Sequence, residues 1–130
     1  MRKLKNSELN RIDISTFKSI KKTPLIIILD DIRSLNNIGS IFRTCDAFKI
    51  EKIYLCGITA TPPNRKITKT AIGATESVEW EYCEKIDDLI SKLNSLKIIL
   101  WAIVQAEGSM ILSNHNIVIS ELIHALIFDL

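Results

Sequence analysis

The stretch "RSLNNIGSIFRTCDAF", residues 33–48, places Asn37 at the entrance of what reads as a helix, with Gly39 and Arg43 one turn apart along it. A guanidinium fixed on a helix can hold a phosphate. A glycine inside a helix costs about 1 kcal/mol against alanine, so Gly39 beneath Arg43 points to something that approaches the backbone closely. Ser40 gathers on the same side. The plain alternative is that Gly39 relaxes the helix start, Asn37 serves as N-cap and Arg43 points at water. Downstream, Arg65, Lys66 and Lys69 stand in "TPPNRKITKT" with no acid among them. Three cations so placed can bind a phosphate backbone, or can belong to a solvated loop.

Other chemistry is poorly supported. Cys45, Cys56 and Cys83 are an odd number at wide spacings, which suits buried free thiols better than disulfides or zinc. His115 and His124 lack a nearby cysteine or carboxylate at ligand spacing, so surface or core roles are expected and no metal. "KTAIG" is not a phosphate loop, because Gly73 follows Lys69 instead of preceding it. Trp80 and Trp101 sit in strand-like segments and read as core.

The elements that must position these residues follow from periodicity. "PLIIILD" is a short β-branched run suited to a strand buried on both faces. From Asn36 or Asn37 as N-cap, Ile38, Ile41, Phe42, Cys45 and Phe48 recur at helical spacing and form one packing face. "EKIYLC" predicts a second strand, "GITATPPNRKITKT" a loop, "SVEWEYC" a third strand and "IDDLISKLNSL" a helix with Asp87 and Asp88 in its first turn. "KIILWAIV" predicts a fourth strand, and a loop around Gly108 leads through polar sequence to a fifth in "ELIHALIFDL". Strands alternating with helices imply an α/β fold with a mostly parallel sheet, right-handed crossovers and helices on both faces. Ligands then belong beyond the carboxyl ends of the strands, after Asp30, Leu55, Val104 and Phe128.

With 130 residues, 47% hydrophobic and 25% charged, the chain suits one globular domain. Its apolar runs are too short to cross a bilayer and its N-terminus lacks the apolar core of a secretory signal, so no membrane association and a cytoplasmic location are expected. Charge is uneven: residues 1–24 hold seven Lys or Arg against two acids, and residues 25–130 ten against thirteen. The basic N-terminal arm, residues 1–24, can meet phosphates or form a solvated amphipathic leader.

Taken together, "NNIGSIFRTCDAF", directly after "LDDIRSL" and before "IEKIYLCG", closely resembles the first motif of the SpoU (TrmH) family of RNA 2'-O-methyltransferases. The similarity continues through "TPPNRKITKTAIGATESVEWEY", which looks like the family's substrate-side loop and following strand, and through "ALIF", which looks like the strand leading into its cofactor-binding half. The resemblance implies a SPOUT-class α/β knot fold, a homodimer, S-adenosylmethionine as cofactor, and tRNA or rRNA as substrate. Asn37 and Arg43 match the functional Asn and Arg of the first motif, and Gly39 the small residue between them. With Ser40, Arg65, Lys66 and Lys69, Gly39 is expected on the RNA side.

Residues 25–130 are expected to form the N-terminal part of a SpoU-type methyltransferase domain, lacking the C-terminal knot segment. "ALIFDL" ends where the family's cofactor-binding loop should begin, so no cofactor-binding residue is carried over and those residues are expected after Phe128. Methyl transfer to a ribose 2'-hydroxyl needs the hydroxyl aligned and its proton made easier to lose. Arg43 is expected to orient and to stabilise developing charge, because a group with a pKa above about 12 is a poor proton acceptor. A non-catalytic RNA-binding remnant is the alternative, and an unrelated nucleotide-binding α/β domain ranks third for want of a glycine-rich phosphate loop.

Overall fold

The computed structural model describes residues 21–103 and 122–129. Five strands form one sheet: β1 (Thr23–Asp30), β2 (Ile50–Cys56), β3 (Trp80–Cys83), β4 (Ile99–Ile103) and β5 (His124–Phe128). Their order is β3-β2-β1-β5-β4, and every pairing is parallel. Among the described residues four helices lie between β1 and β4: α1 (Leu35–Ala47), α2 (Arg65–Ala71), α3 (Ala74–Ser77) and α4 (Ile86–Ser95). The expected Gly108 loop, His115, the carboxyl end at Val104 and most of the basic arm lie outside the described residues. β1 begins at Thr23, inside the stretch assigned to that arm.

The isoleucine-rich run of β1 is central because it is apolar on both sides of its pleat. Ile27 and Leu29 enter one core with Ile38, Phe42 and Cys45 of α1, Ile53 and Leu55 of β2, Ile67 and Ala71 of α2, and Ala74 of α3. Ile26 and Ile28 enter a second core with Tyr54, Cys56, Ala125, and Leu89 and Leu93 of α4. Helices therefore cover both faces, as the alternation of elements predicts. The aspartates of the first turn of α4 and Lys92 in its last turn complement the helix dipole.

Structure and periodicity differ at two places on α1. Its N-cap is Ser34, whose Oγ accepts the Asn37 N–H at 3.2 Å, and not Asn36 or Asn37. A hydroxyl two residues before the asparagine pair meets the free N–H groups first, because serine in extended conformation caps at N3. Phe48, expected on the packing face, is the C-cap and is 67% exposed. The helix ends at Ala47, and Lys49 turns the chain at φ 54° into β2, which swings Phe48 outward.

Trp80 and Trp101 are half-buried within β3 and β4. His124 is a buried strand residue whose Nδ1 accepts the Trp101 indole N–H at 3.0 Å. Cys45 and Cys56 are buried free thiols, and Cys83 is half-buried.

Candidate RNA-facing active site

All strands run the same way, so the turns following β1, β2 and β3 share one rim of the sheet. There the turns after β1 and β2 are bound into one unit. The buried Thr59 hydroxyl donates to the Leu29 carbonyl at 3.1 Å and accepts the Ile32 N–H at 3.0 Å. Asp31, left-handed at φ 51°, accepts the Ile58 N–H at 2.9 Å on Oδ1. Gly57 must lack a side chain, since a Cβ there would strike that same Oδ1, and its φ of 63° favours glycine. The Tyr82 hydroxyl donates to the Gly57 carbonyl at 2.7 Å and ties in β3. These contacts fix the height and direction at which α1 starts.

Asp30 closes β1 at this rim. Burial, and then the carboxylates of Asp31, Asp129 and Asp87, push its pKa above the usual carboxylate range.

Along α1, Asn37, Ser40 and Arg43 are exposed. Because Ser34 takes the capping role, the Asn37 side chain is left for other partners. Arg43 has no ion pair or hydrogen bond among the described residues. Gly39 is different. It is buried, and a Cβ there would collide with Thr70 Oγ1 and the Ile67 carbonyl oxygen of α2. Something does approach its backbone, as the glycine suggested, but it is a helix of the same chain. Gly39, expected on the RNA side, is the point where α2 seats on α1.

"TPPNRKITKT" is also corrected. Its second half is helix α2, capped by Asn64, whose Oδ1 accepts the N–H groups of Lys66 at 3.0 Å and Ile67 at 3.4 Å. Arg65, Lys66 and Lys69 are exposed on that helix, and Ile67 and Ala71 are buried beneath it. Thr70 Oγ1 donates to the Asn36 carbonyl at 3.2 Å and so ties α2 to the first turn of α1. α3 is held to the other end of α1 by Ser77, which donates to Asp46 Oδ1 at 3.0 Å.

The structure thus joins α1, with Asn37, Ser40 and Arg43, to the cationic helix α2 through Gly39 and Thr70. Thr59, Asp31, Gly57 and Thr70 escaped the reading of the sequence; the Gly-x-Thr that follows "YLC" was the available signal for a tight, hydroxyl-pinned turn. No group of three His, Cys, Asp or Glu side chains among the described residues could hold a metal ion.

Comparison with known proteins agrees with this architecture. A 71-residue stretch is 32% identical to 23S rRNA (guanosine-2'-O-)-methyltransferase RlmB of Vibrio parahaemolyticus, covering 55% of this chain and 29% of that protein. The crystal structure of the A. aeolicus TrmH/SpoU tRNA modifying enzyme superposes with a TM-score of 0.69 at 17% identity, covering 85% of this chain and 54% of that one. The SpoU methyltransferase AviRb of Streptomyces viridochromogenes, in complex with the cofactor AdoMet, gives 0.69 and 17% over 85% and 42%. This chain spans about half the length of those structures or less. The profile of the SpoU rRNA Methylase family matches residues 24–125, from the first residues of β1 through α1 and α2 into β5, and the chain belongs to that family.

Proposed function

We propose that this chain acts as an S-adenosylmethionine-dependent RNA 2'-O-methyltransferase on tRNA or rRNA. The observation that carries this is the exposed Arg43, without an ion pair or hydrogen bond among the described residues, on a helix whose start is pinned by Thr59 and whose flank is locked to the cationic α2. When bound, the cofactor supplies an electrophilic methyl group. The chain's own residues hold the acceptor. Arg65, Lys66 and Lys69 engage backbone phosphates, which positions the RNA without reading its sequence. Asn37 hydrogen-bonds the target ribose. Arg43 holds the adjacent phosphate and stabilises the charge that develops on the 2'-oxygen as its proton passes to solvent water, an electrostatic task that needs a fixed cation and no proton transfer to it. The same reading gives a cytoplasmic homodimer. No described helix is long and apolar enough to cross a membrane.

The test combines calorimetric titration of the chain with S-adenosylmethionine and transfer of labelled methyl groups to RNA. Saturable cofactor binding with methyl transfer is the expected result, and Arg43→Ala should lower transfer by about 10²-fold or more with the fold intact, the scale of losing one preorganised charge-stabilising group. Salt-dependent RNA binding with no cofactor binding and no transfer would reduce the chain to an RNA-binding module.

A further inference from the structure

The turn between α2 and α3 holds a side chain that packing does not explain. Ile72 is the C-cap of α2 and adopts the left-handed conformation, φ 50° and ψ 57°. Helix ends often pass through this region, but glycine or asparagine usually occupies it, because a Cβ is strained there and a β-branched one most of all. Gly73 follows directly, at φ 83°. The residue suited to the turn is thus one position away, while isoleucine takes the strained place. Nor is the strain offset by burial, since Ile72 is 59% exposed. An apolar side chain held outward at a cost in stability fits a contact made with something outside the chain.

Its surroundings indicate what that is. Lys69 lies one helical turn earlier, Arg65 and Lys66 stand on the same helix, and all three are exposed. Two residues before Ile72, Thr70 is bonded to the Asn36 carbonyl, at the turn of α1 that bears Asn37. An apolar knob at the end of a cationic helix, next to the turn that bears Asn37 and with Glu76 as the exposed acid of the short helix that follows, matches RNA with an unstacked base: cations take the phosphates, and the knob takes the flat, uncharged face. A purely apolar partner would leave the cations unused. We infer that Ile72 is a specificity-determining residue that packs against an unpaired nucleobase next to the target nucleotide, so that the site selects loops and single strands over duplex. This rests on the reading of the chain as an RNA methyltransferase.

The experiment uses the full 130-residue chain with two labelled probes, an RNA hairpin carrying an unpaired loop and a fully paired duplex, titrated by fluorescence anisotropy at several salt concentrations. The wild-type chain should prefer the hairpin. Ile72→Gly should weaken hairpin binding about fivefold to tenfold, as expected for losing part of a buried isoleucine contact. It should leave the salt slope unchanged because no phosphate contact is lost. The same variant should melt a few degrees higher, since glycine relieves the left-handed strain. Ile72→Leu should restore hairpin affinity. Equal hairpin affinity in wild type and Ile72→Gly overturns the inference alone, as does a variant that loses stability and affinity together. A wild-type chain that binds neither probe overturns the RNA reading and this inference with it.

Discussion

Gly39 shows how a single hydrogen in place of a methyl group sets the geometry of the site. Gly39→Ala gains helix propensity but drives a Cβ into the Ile67 carbonyl and Thr70 Oγ1, and a backbone oxygen cannot rotate away. Overpacking of about 1–3 kcal/mol outweighs the propensity gain of about 1 kcal/mol, so urea denaturation should show a net loss near 1 kcal/mol. RNA affinity should fall as well, because α2 must shift. At Asp30 the pKa is raised by burial and neighbouring carboxylates, so the folded state binds the proton more tightly than the unfolded chain. Stability is thus highest in acid with respect to this group and is lost as pH rises from the unfolded pKa through the folded one. Asp30→Asn should raise the melting temperature at pH 7, and the gain should vanish as the buffer falls below the ordinary aspartate pKa of about 3.9. Burial pushes the thiols of Cys45 and Cys56 up to about 12. A thiol-specific reagent at pH 7.5 should therefore label the native chain at Cys83 alone among the three cysteines, with all three labelling after denaturation. The exposed positions of Ser40 and Arg43 on α1 were legible in the sequence because helical spacing sets them off the apolar stripe, whereas Asn37 was singled out by the family motif. The role of Gly39 was not, since no local pattern says which element will arrive from thirty residues downstream.

At the scale of elements, α2 was the least legible. The proline pair before it and its scattered cations read as a loop, and seven residues are too few for an apolar stripe to show. The start signal was nonetheless present in Asn64, whose side chain caps two free N–H groups. Asn64→Ala should cost about 1 kcal/mol in chemical denaturation, the usual loss for an N-cap asparagine. It should also flatten the salt dependence of RNA binding, as Arg65 and Lys66 lose their fixed places. α1 and β1 were read well for the opposite reason: thirteen and eight residues give the period room to declare itself. The errors at their ends, Ser34 and Phe48, lie where capping and chain direction decide and periodicity is silent.

For the whole molecule, the parallel sheet and its two helical layers follow from alternating apolar runs, and the strand order does not. Sequence spacing cannot tell that β5 inserts between β1 and β4. The larger core is organised around Phe42, which is wholly buried against β1, β2 and the two short helices. Phe42→Ala should cost about 3–5 kcal/mol, a large part of the stability of a domain this size, and thermal unfolding would record it as a fall of more than ten degrees.

That strand order has a consequence for how the protein is made. β4 is synthesised before β5, yet among the described strands β5 is its sole neighbour in the sheet, and β1 likewise waits for β5 to close its second side. During translation β1, β2 and β3 can assemble with α1 and α2, so the face that carries Arg43 and the cations of α2 is shaped early. β4 meanwhile remains an apolar strand with nothing to pair with. Only when residues 124–128 leave the ribosome does the sheet become continuous, and a pause before that point would expose a sticky edge at the moment the nascent chain is least able to hide it.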